Sequence, residues 1–159
     1  MFKFGEIEGV IVSGIVARHD QRGSLSEVWR ANEKFNGHQP AMCYTSETNQ
    51  LEKRGPHEHK MQTDLFIAIG PGCFVFNLWD NRPDSPTYGN MSQICAGENC
   101  AKAILIPPGV VHGYLCLKGP GTIINLPDTL YAGTDKKEPI DEIRYEDIPK
   151  SPFKMPTCK

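Results

Sequence analysis

The chain has no apolar run approaching the roughly 20 residues that a helix needs to cross a bilayer. A helical membrane protein is therefore excluded. Its first residues, Met1-Phe2-Lys3-Phe4-Gly5-Glu6, lack the long apolar segment of a signal peptide, so a cytoplasmic location is expected. A formal net charge of −2 gives no excess of positive charge for a polyanion, and neither nucleic acid nor a membrane surface is expected as a partner. Cys43, Cys73, Cys95, Cys100, Cys116 and Cys158 show no paired zinc-type spacing. Cys95 and Cys100 are close enough in sequence to bridge a turn, but without an export signal all six are expected as free thiols. Cys73 and Cys116 sit in apolar runs, where a thiol behaves as a small hydrophobe. No internal repeat is visible, and 159 residues suit one domain, 1–159, with a real core.

What the chain does contain is many short apolar runs broken by Gly, Pro, Asn and Asp, the pattern of an all-β sandwich or barrel. Strands are expected at 9–16, 24–29, 41–46, 65–69, 74–79, 91–95, 103–106, 114–117 and 122–126. In the second of these, Leu25 and Glu27 share one face. Lys118-Gly119-Pro120-Gly121 reads as a hairpin turn between the last two. Residues 80–86 are too long and too rich in proline for a tight hairpin, and Asp80, Arg82 and Asp84 there read as a solvated turn. Trp29, Phe74, Phe76 and Trp79 read as core. Residues 135–147 are dense in charge and allow a short helix at 141–147, and the tail from Lys150 is short and irregular. The sheet is expected closed or nearly closed, which removes exposed edges.

Three of the five histidines fall in two stretches, Arg54-Gly55-Pro56-His57-Glu58-His59 and Pro107-Pro108-Gly109-Val110-Val111-His112-Gly113-Tyr114. Residues two apart on a strand face the same side, so His57 and His59 point together. Asp64 lies five residues on, far enough to enter the next strand. The order His-x-His, acid, Pro-x-Gly-x-x-His matches the spacing of metal-binding cupins, with Asp64 where Glu is more usual. Three imidazoles and a carboxylate suit one divalent transition metal, Mn, Fe, Ni or Zn, held by His57, His59, Asp64 and His112. The competing reading is that these histidines are hydrogen-bonded wall residues. Arg54 reads alternatively as a surface ion pair with Glu52 or Glu58.

From about Gly9 to about Asp147 the chain resembles the dTDP-4-dehydrorhamnose 3,5-epimerases, sugar-nucleotide epimerases of the cupin superfamily. The resemblance rests on Asp20-Gln21-Arg22-Gly23 with Glu27, on Arg54-Gly55-Pro56-His57, on Ser85-Pro86-Thr87-Tyr88-Gly89, on residues 106–114 and on Tyr131. A shorter branch of that family is also similar at Asn125-Leu126-Pro127-Asp128-Thr129-Leu130-Tyr131-Ala132-Gly133. The resemblance implies a jelly-roll barrel, a homodimer, no cofactor and a nucleoside-diphospho-4-keto-6-deoxyhexose as substrate. It implies that His57 is the base that removes a proton beside the keto group. Arg54, Arg22, Glu27, His112 and Tyr131 are implied as sugar-nucleotide contacts.

The chain departs from the pattern at the base's helpers. Asp64 stands near the family's lysine position, Asn125 at the position of its tyrosine proton donor, and His59 at its glutamine. No Ser-x-Lys-Asp segment supplies an acid to pair with the base. Two readings follow. Asp64 orients His57 as a carboxylate partner and joins it as a catalytic residue, or the four wall positions hold a metal that stabilises an enolate. The leading function is epimerisation at one or both carbons beside a 4-keto group. The alternatives are a metal-dependent cupin enzyme on another small molecule and a non-catalytic sugar-nucleotide-binding cupin.

Overall fold

The computed structural model describes residues 2–156. The strands run β1 Lys3–Phe4, β2 Ile11–Gly14, β3 Ala17–Asp20, β4 Gly23–Ser26, β5 Tyr44–Thr48, β6 Lys53–Glu58, β7 Asp64–Ala68, β8 Cys73–Asp80, β9 Asn90–Gly97, β10 Lys102–Ile106, β11 Val110–Lys118, β12 Gly121–Asn125 and β13 Ile143–Arg144. They form a six-stranded sheet in the order β1-β9-β8-β11-β6-β13 and a five-stranded sheet in the order β2-β10-β7-β12-β5. Strands β3 and β4 make a separate hairpin. The architecture is the expected all-β cupin jelly roll. No described helix is long and apolar enough to cross a membrane.

Alternation along the strands sorts side chains into three layers. Phe74, Phe76 and Leu78 of β8, Tyr114 and Cys116 of β11, Phe66 and Ala68 of β7, Ile104 and Ile106 of β10 and Ile123 of β12 meet between the sheets. The intervening residues are buried too. Leu65, Ile67, Ala103 and Leu105 lie on the outer face of the five-stranded sheet, packed against Phe35, Val28 and Trp29. Trp79, Val111 and Leu115 lie on the outer face of the other sheet, beneath Phe153 and Met155 of the tail. Cover on both faces explains why 65–69 reads as an unbroken apolar run.

Lys118-Gly119-Pro120-Gly121 is not a hairpin. β11 pairs with β6 and β8, whereas β12 pairs with β5 and β7, so this turn carries the chain from one sheet to the other. The segment after β7 does the same, and the two crossings are tied together by Thr122 N donating to Pro71 O at 3.0 Å. The strand expected at 24–29 ends at Ser26, and Glu27 lies beyond it. In place of a helix at 141–147 the chain forms β13 and a 3-10 turn, Tyr145–Asp147.

The expectation of a solvated turn at 80–86 holds for the exposed Asp84 but not for Asp80 and its partner Arg82. The Asp80 side chain is fully buried. It accepts from Arg82 Nε and Nη2 at 2.8 Å each, from Ser85 Oγ at 2.6 Å and from Thr87 Oγ1 at 2.5 Å. Arg82 also donates to the Glu8 carbonyl at 2.7 Å, so this carboxylate organises the loop and pins the N-terminal segment to it. Burial works against the Asp80 charge, but these donors outweigh it and hold its pKa below the ordinary carboxylate value. Cys43, Cys73, Cys95, Cys100 and Cys116 are free thiols, and Cys158 lies outside the described residues.

Candidate active site

The site grows from an irregularity in β6. Strand β6 pairs with β11 so that His57 faces His112 and Arg54 faces Tyr114, three residues against two. The extra residue is a bulge at Gly55-Pro56, with Gly55 at φ +79° and its backbone against the His112 carbonyl. An odd spacing would normally send Arg54 and His57 to opposite faces. The bulge restores the phase, and both line one cavity of about 770 Å³ between the sheet ends. That volume lies in the range of small-molecule sites, about 300–1,000 Å³.

The cavity wall also carries Tyr44 and Ser46 from β5, Phe66, Tyr114 and the 129–142 segment with Tyr131. Two anchors draw that segment over the mouth. Asp141 accepts the backbone amides of Lys60, Met61 and Gln62 at 2.9, 2.7 and 3.0 Å, and Thr129 Oγ1 donates to Gln62 Oε1 at 2.6 Å. Burial opposes the Asp141 charge, but the three amides prevail and its pKa is lowered. β13 then pairs with β6, with Arg144 opposite His57, and sets Glu142 beside the cavity.

Glu142 is a candidate site residue that the sequence did not reveal. Its Oε1 lies 3.7 Å from His57 Nδ1, and its Oε2 accepts from Arg144 Nε at 2.7 Å. The expected Asp64–His57 pair does not form. Asp64 opens β7 in the opposite sheet, and its Oδ2 lies 3.2 Å from both His59 Nε2 and His112 Nε2. Its Oδ1 accepts from Gln62 Nε2 at 2.9 Å and Asn125 Nδ2 at 2.8 Å. His112 is likewise not on the cavity wall. Its side chain is 3% exposed and stands behind His57, with ring centroids 4.5 Å apart. Both residues form the floor beneath the site.

Charge follows from this geometry. His57 is driven down to about 2, chiefly by burial and then by the neighbouring His112 and His59, and is neutral at physiological pH. For His59, burial disfavours the cation, but the Asp64 carboxylate more than compensates and the shift is upward. Burial alone would raise Asp64, yet the two imidazoles hold it well below the usual carboxylate range.

Arg54 makes no ion pair with Glu52 or Glu58. Its Nε donates to Thr48 Oγ1 at 3.1 Å and its Nη2 to the Glu47 carbonyl at 2.9 Å. Glu58, on the other face of β6, instead accepts from the Tyr145 hydroxyl at 2.7 Å and from Asn81. The Arg54 charge is thus held at the wall without a bonded carboxylate among the described residues, which suits an anionic ligand. Tyr131 is 52% exposed at the mouth.

Arg22 and Glu27 are not brought to this cavity. Arg22 sits at the tip of the β3–β4 hairpin, bound to Asp20 at 2.6 Å, and Glu27 pairs with Arg30. Tyr44 carries no motif of its own, although alternation in the strand expected at 41–46 puts it on one face with Ser46, and both line the cavity. Tyr44 is the direct cross-strand neighbour of Asn125, whose Nδ2 lies 3.0 Å from the Tyr44 hydroxyl.

A family model described as dTDP-4-dehydrorhamnose 3,5-epimerase matches residues 5–147. The chain is 34% identical over 142 residues to the probable low-salt glycan biosynthesis epimerase Agl13 of Haloferax volcanii, covering 88% of this chain and 89% of the relative. It is 35% identical over 120 residues to the spore coat polysaccharide biosynthesis protein SpsL of Bacillus subtilis, covering 74% and 78%. Its fold is similar to the crystal structure of a dTDP sugar isomerase from Desulfovibrio desulfuricans, with a TM-score of 0.80, 24% identity and coverage of 93% and 91%. A match across nearly the whole chain, joined to a jelly roll with a histidine on its cavity wall, places this protein among the isomerases of the dTDP-4-dehydrorhamnose 3,5-epimerase family.

Proposed function

We propose that the substrate is a nucleoside-diphospho-4-keto-6-deoxyhexose, and that the protein inverts one or both carbons beside its keto group. The observation that carries this reading is the pairing of a neutral, wall-lining His57 with the Glu142 carboxylate at 3.7 Å. The keto group acidifies the neighbouring C–H bonds. His57 takes one proton, and the electron pair of that bond passes into an enolate. A proton then returns to the same carbon from the opposite face. His57 stands on the six-stranded sheet and Tyr44 on the five-stranded one, so the Tyr44 hydroxyl is the donor from across the cavity. Solvent reprotonates the tyrosinate and removes the proton from His57.

Apo catalytic contacts are often long and tighten on binding. Closure of Glu142 onto His57 Nδ1 would fix the ring and raise its proton affinity. Arg54 is suited to the diphosphate and Tyr131 to the outer part of the substrate. The family's reaction chemistry uses protein side chains for both proton transfers. Two copies are proposed to form a homodimer in which the β3–β4 hairpin carries Arg22 and Glu27 to the partner's cavity. The hairpin's four-residue strand β3 is exposed throughout, and Val16 and Leu25 expose 79% and 69% of their surface there. The free thiols are in keeping with a cytoplasmic protein.

The test is deuterium wash-in. The protein is incubated with a dTDP- or CDP-4-keto-6-deoxyhexose in D2O, and exchange at the carbons beside the keto group is read by NMR. Exchange is expected with wild type and lost in a folded His57→Asn variant. Absence of exchange with every such substrate, in a folded wild-type sample, would overturn the proposal.

A further inference from the structure

We propose that His59, Asp64 and His112 bind one divalent transition-metal ion beneath the catalytic wall, a site separate in its evidence from the sugar-nucleotide reaction. The ligand atoms converge on one point. One ligand atom from each of His57, His59, Asp64 and His112 lies within 4.8 Å of the others. His59 Nε2 and His112 Nε2 each stand 3.2 Å from the same oxygen, Asp64 Oδ2. Ligands about 2.0–2.2 Å from a common cation at roughly tetrahedral or octahedral angles stand about 3 Å apart, so this spacing is that of a first coordination sphere.

The imidazole lone pairs point into the cluster. His112 Nδ1 lies 2.9 Å from the Val110 carbonyl, and His59 Nδ1 is bonded to the Asp141 carbonyl. A carbonyl accepts only, so each ring carries its hydrogen on Nδ1 and, when neutral, presents a bare Nε2 to the cluster. A bare imidazole nitrogen facing a carboxylate oxygen is repulsive unless a proton or a metal ion lies between them, and His59 Nε2 also has the Gln62 side-chain amide 3.2 Å away. His112 Nε2 is buried and makes no aligned hydrogen bond, despite its distance from Asp64. A buried polar atom of this kind is costly to leave without a partner.

Further side chains support the ligands from behind. Asp64 turns Oδ2 inward because Gln62 Nε2 and Asn125 Nδ2 hold Oδ1 at 2.9 and 2.8 Å. Gln62 is itself held by Thr129. Such outer partners orient the ligands of a metal. Two imidazoles and one carboxylate select a borderline divalent ion such as Mn, Fe, Co, Ni or Zn over Mg or Ca. His57, at the fourth corner, lies between this ion and the cavity. When bound, the ion would supply fixed positive charge below the site, on the side of the cavity where His57 stands.

Untagged protein is purified without chelator and its metal content measured by inductively coupled plasma mass spectrometry. Near one equivalent per chain is expected. Protein stripped with EDTA and dialysed is then titrated with Mn(II), Co(II), Ni(II) and Zn(II) alone, with thermal unfolding and the visible Co(II) spectrum as readouts. At least one ion should raise Tm at micromolar concentration, and Co(II) should develop d–d bands. His59→Gln and Asp64→Asn should abolish both responses, while Gln62→Ala should weaken the apparent Kd by about 10–100-fold. No Tm shift and no Co(II) bands in folded, stripped wild type would overturn the site. Responses that survive in folded His59→Gln and Asp64→Asn would overturn it equally. None of these measurements uses a sugar nucleotide, so failure here is distinguishable from failure of the epimerase reading.

Discussion

Substitution of Gly55 by Ala tests whether the β6 bulge builds the site. An added Cβ would lie 2.7 Å from the His112 carbonyl oxygen, 3.1 Å from the Gly113 Cα and 3.2 Å from the His57 amide nitrogen. All three neighbours are backbone, so none can move aside by changing rotamer. Gly55 also has φ +79°, where an L side chain costs about 1–2 kcal/mol. Overpacking of a fixed neighbour adds about 1–3 kcal/mol. The expected loss is therefore roughly 2–5 kcal/mol. At about 2–4 °C per kcal/mol for a chain of this size, Tm should fall by roughly 4–20 °C. Relief of the contact displaces His57 relative to Arg54, and a 1 Å misplacement of a catalytic group costs on the order of 100-fold in rate. Gly89→Ala is the control, because Gly89 has φ +81° but open space around its Cβ. It should lose only about 1–2 kcal/mol and leave solvent exchange intact. Differential scanning calorimetry and the D2O exchange rate supply the two readouts. Equal losses in the two variants would refute the argument that close backbone approach at Gly55 sets the site.

Tyr44→Phe should separate the two proton transfers. Deuterium should still enter the substrate through His57, while formation of the inverted product falls by about 10²–10⁴-fold, as NMR of the sugar ring would report. Glu142→Gln should lower kcat by about 10–100-fold with little change in KM, measured by steady-state kinetics, because the carboxylate acts through the ring it orients. Asp80→Asn should lower stability in urea by about 2–3 kcal/mol at pH 7, since Arg82, Ser85 and Thr87 lose a charged acceptor. The pH dependence follows from the lowered Asp80 pKa. Its stabilisation is fully present above the unfolded value of about 4 and is lost as pH falls toward the folded value, so wild type should lose Tm more steeply than the variant below pH 4.

Local pattern carried the reading of the fold some distance. Short apolar runs with turn residues between them gave an all-β chain, and β7, β8 and β10 lie close to where those runs stand. Two residues apart on a strand means one face, which put His57 beside His59 before any pairing was known. Partner choice was not legible, because hydrogen-bonded neighbours are distant in sequence. The Gly-Pro-Gly turn after Lys118 has hairpin chemistry, yet β11 and β12 belong to different sheets, β11 paired with β6 and β8 and β12 with β5 and β7. Asp80 looks solvated in a run of polar residues, and only the fold returns Arg82, Ser85 and Thr87 onto it.

The same division runs through the site. Residue types and spacing were enough to single out Arg54, His57, His59, Asp64 and His112, because the chemistry of imidazole, guanidinium and carboxylate is local to the side chain. Which carboxylate serves which histidine was decided in three dimensions. Asp64, seven residues from His57, crosses to the opposite sheet and faces His59 and His112. Glu142, inside a charge-rich run with no local mark, is carried back by β13 to stand beside His57. The bulge at Gly55 turned an odd spacing into a shared face, and the 129–142 segment closed the mouth with Tyr131. Sequence order names the groups available, but Coulomb and hydrogen-bond energies act over a few ångströms, and only the packing of two sheets determines which groups come that close.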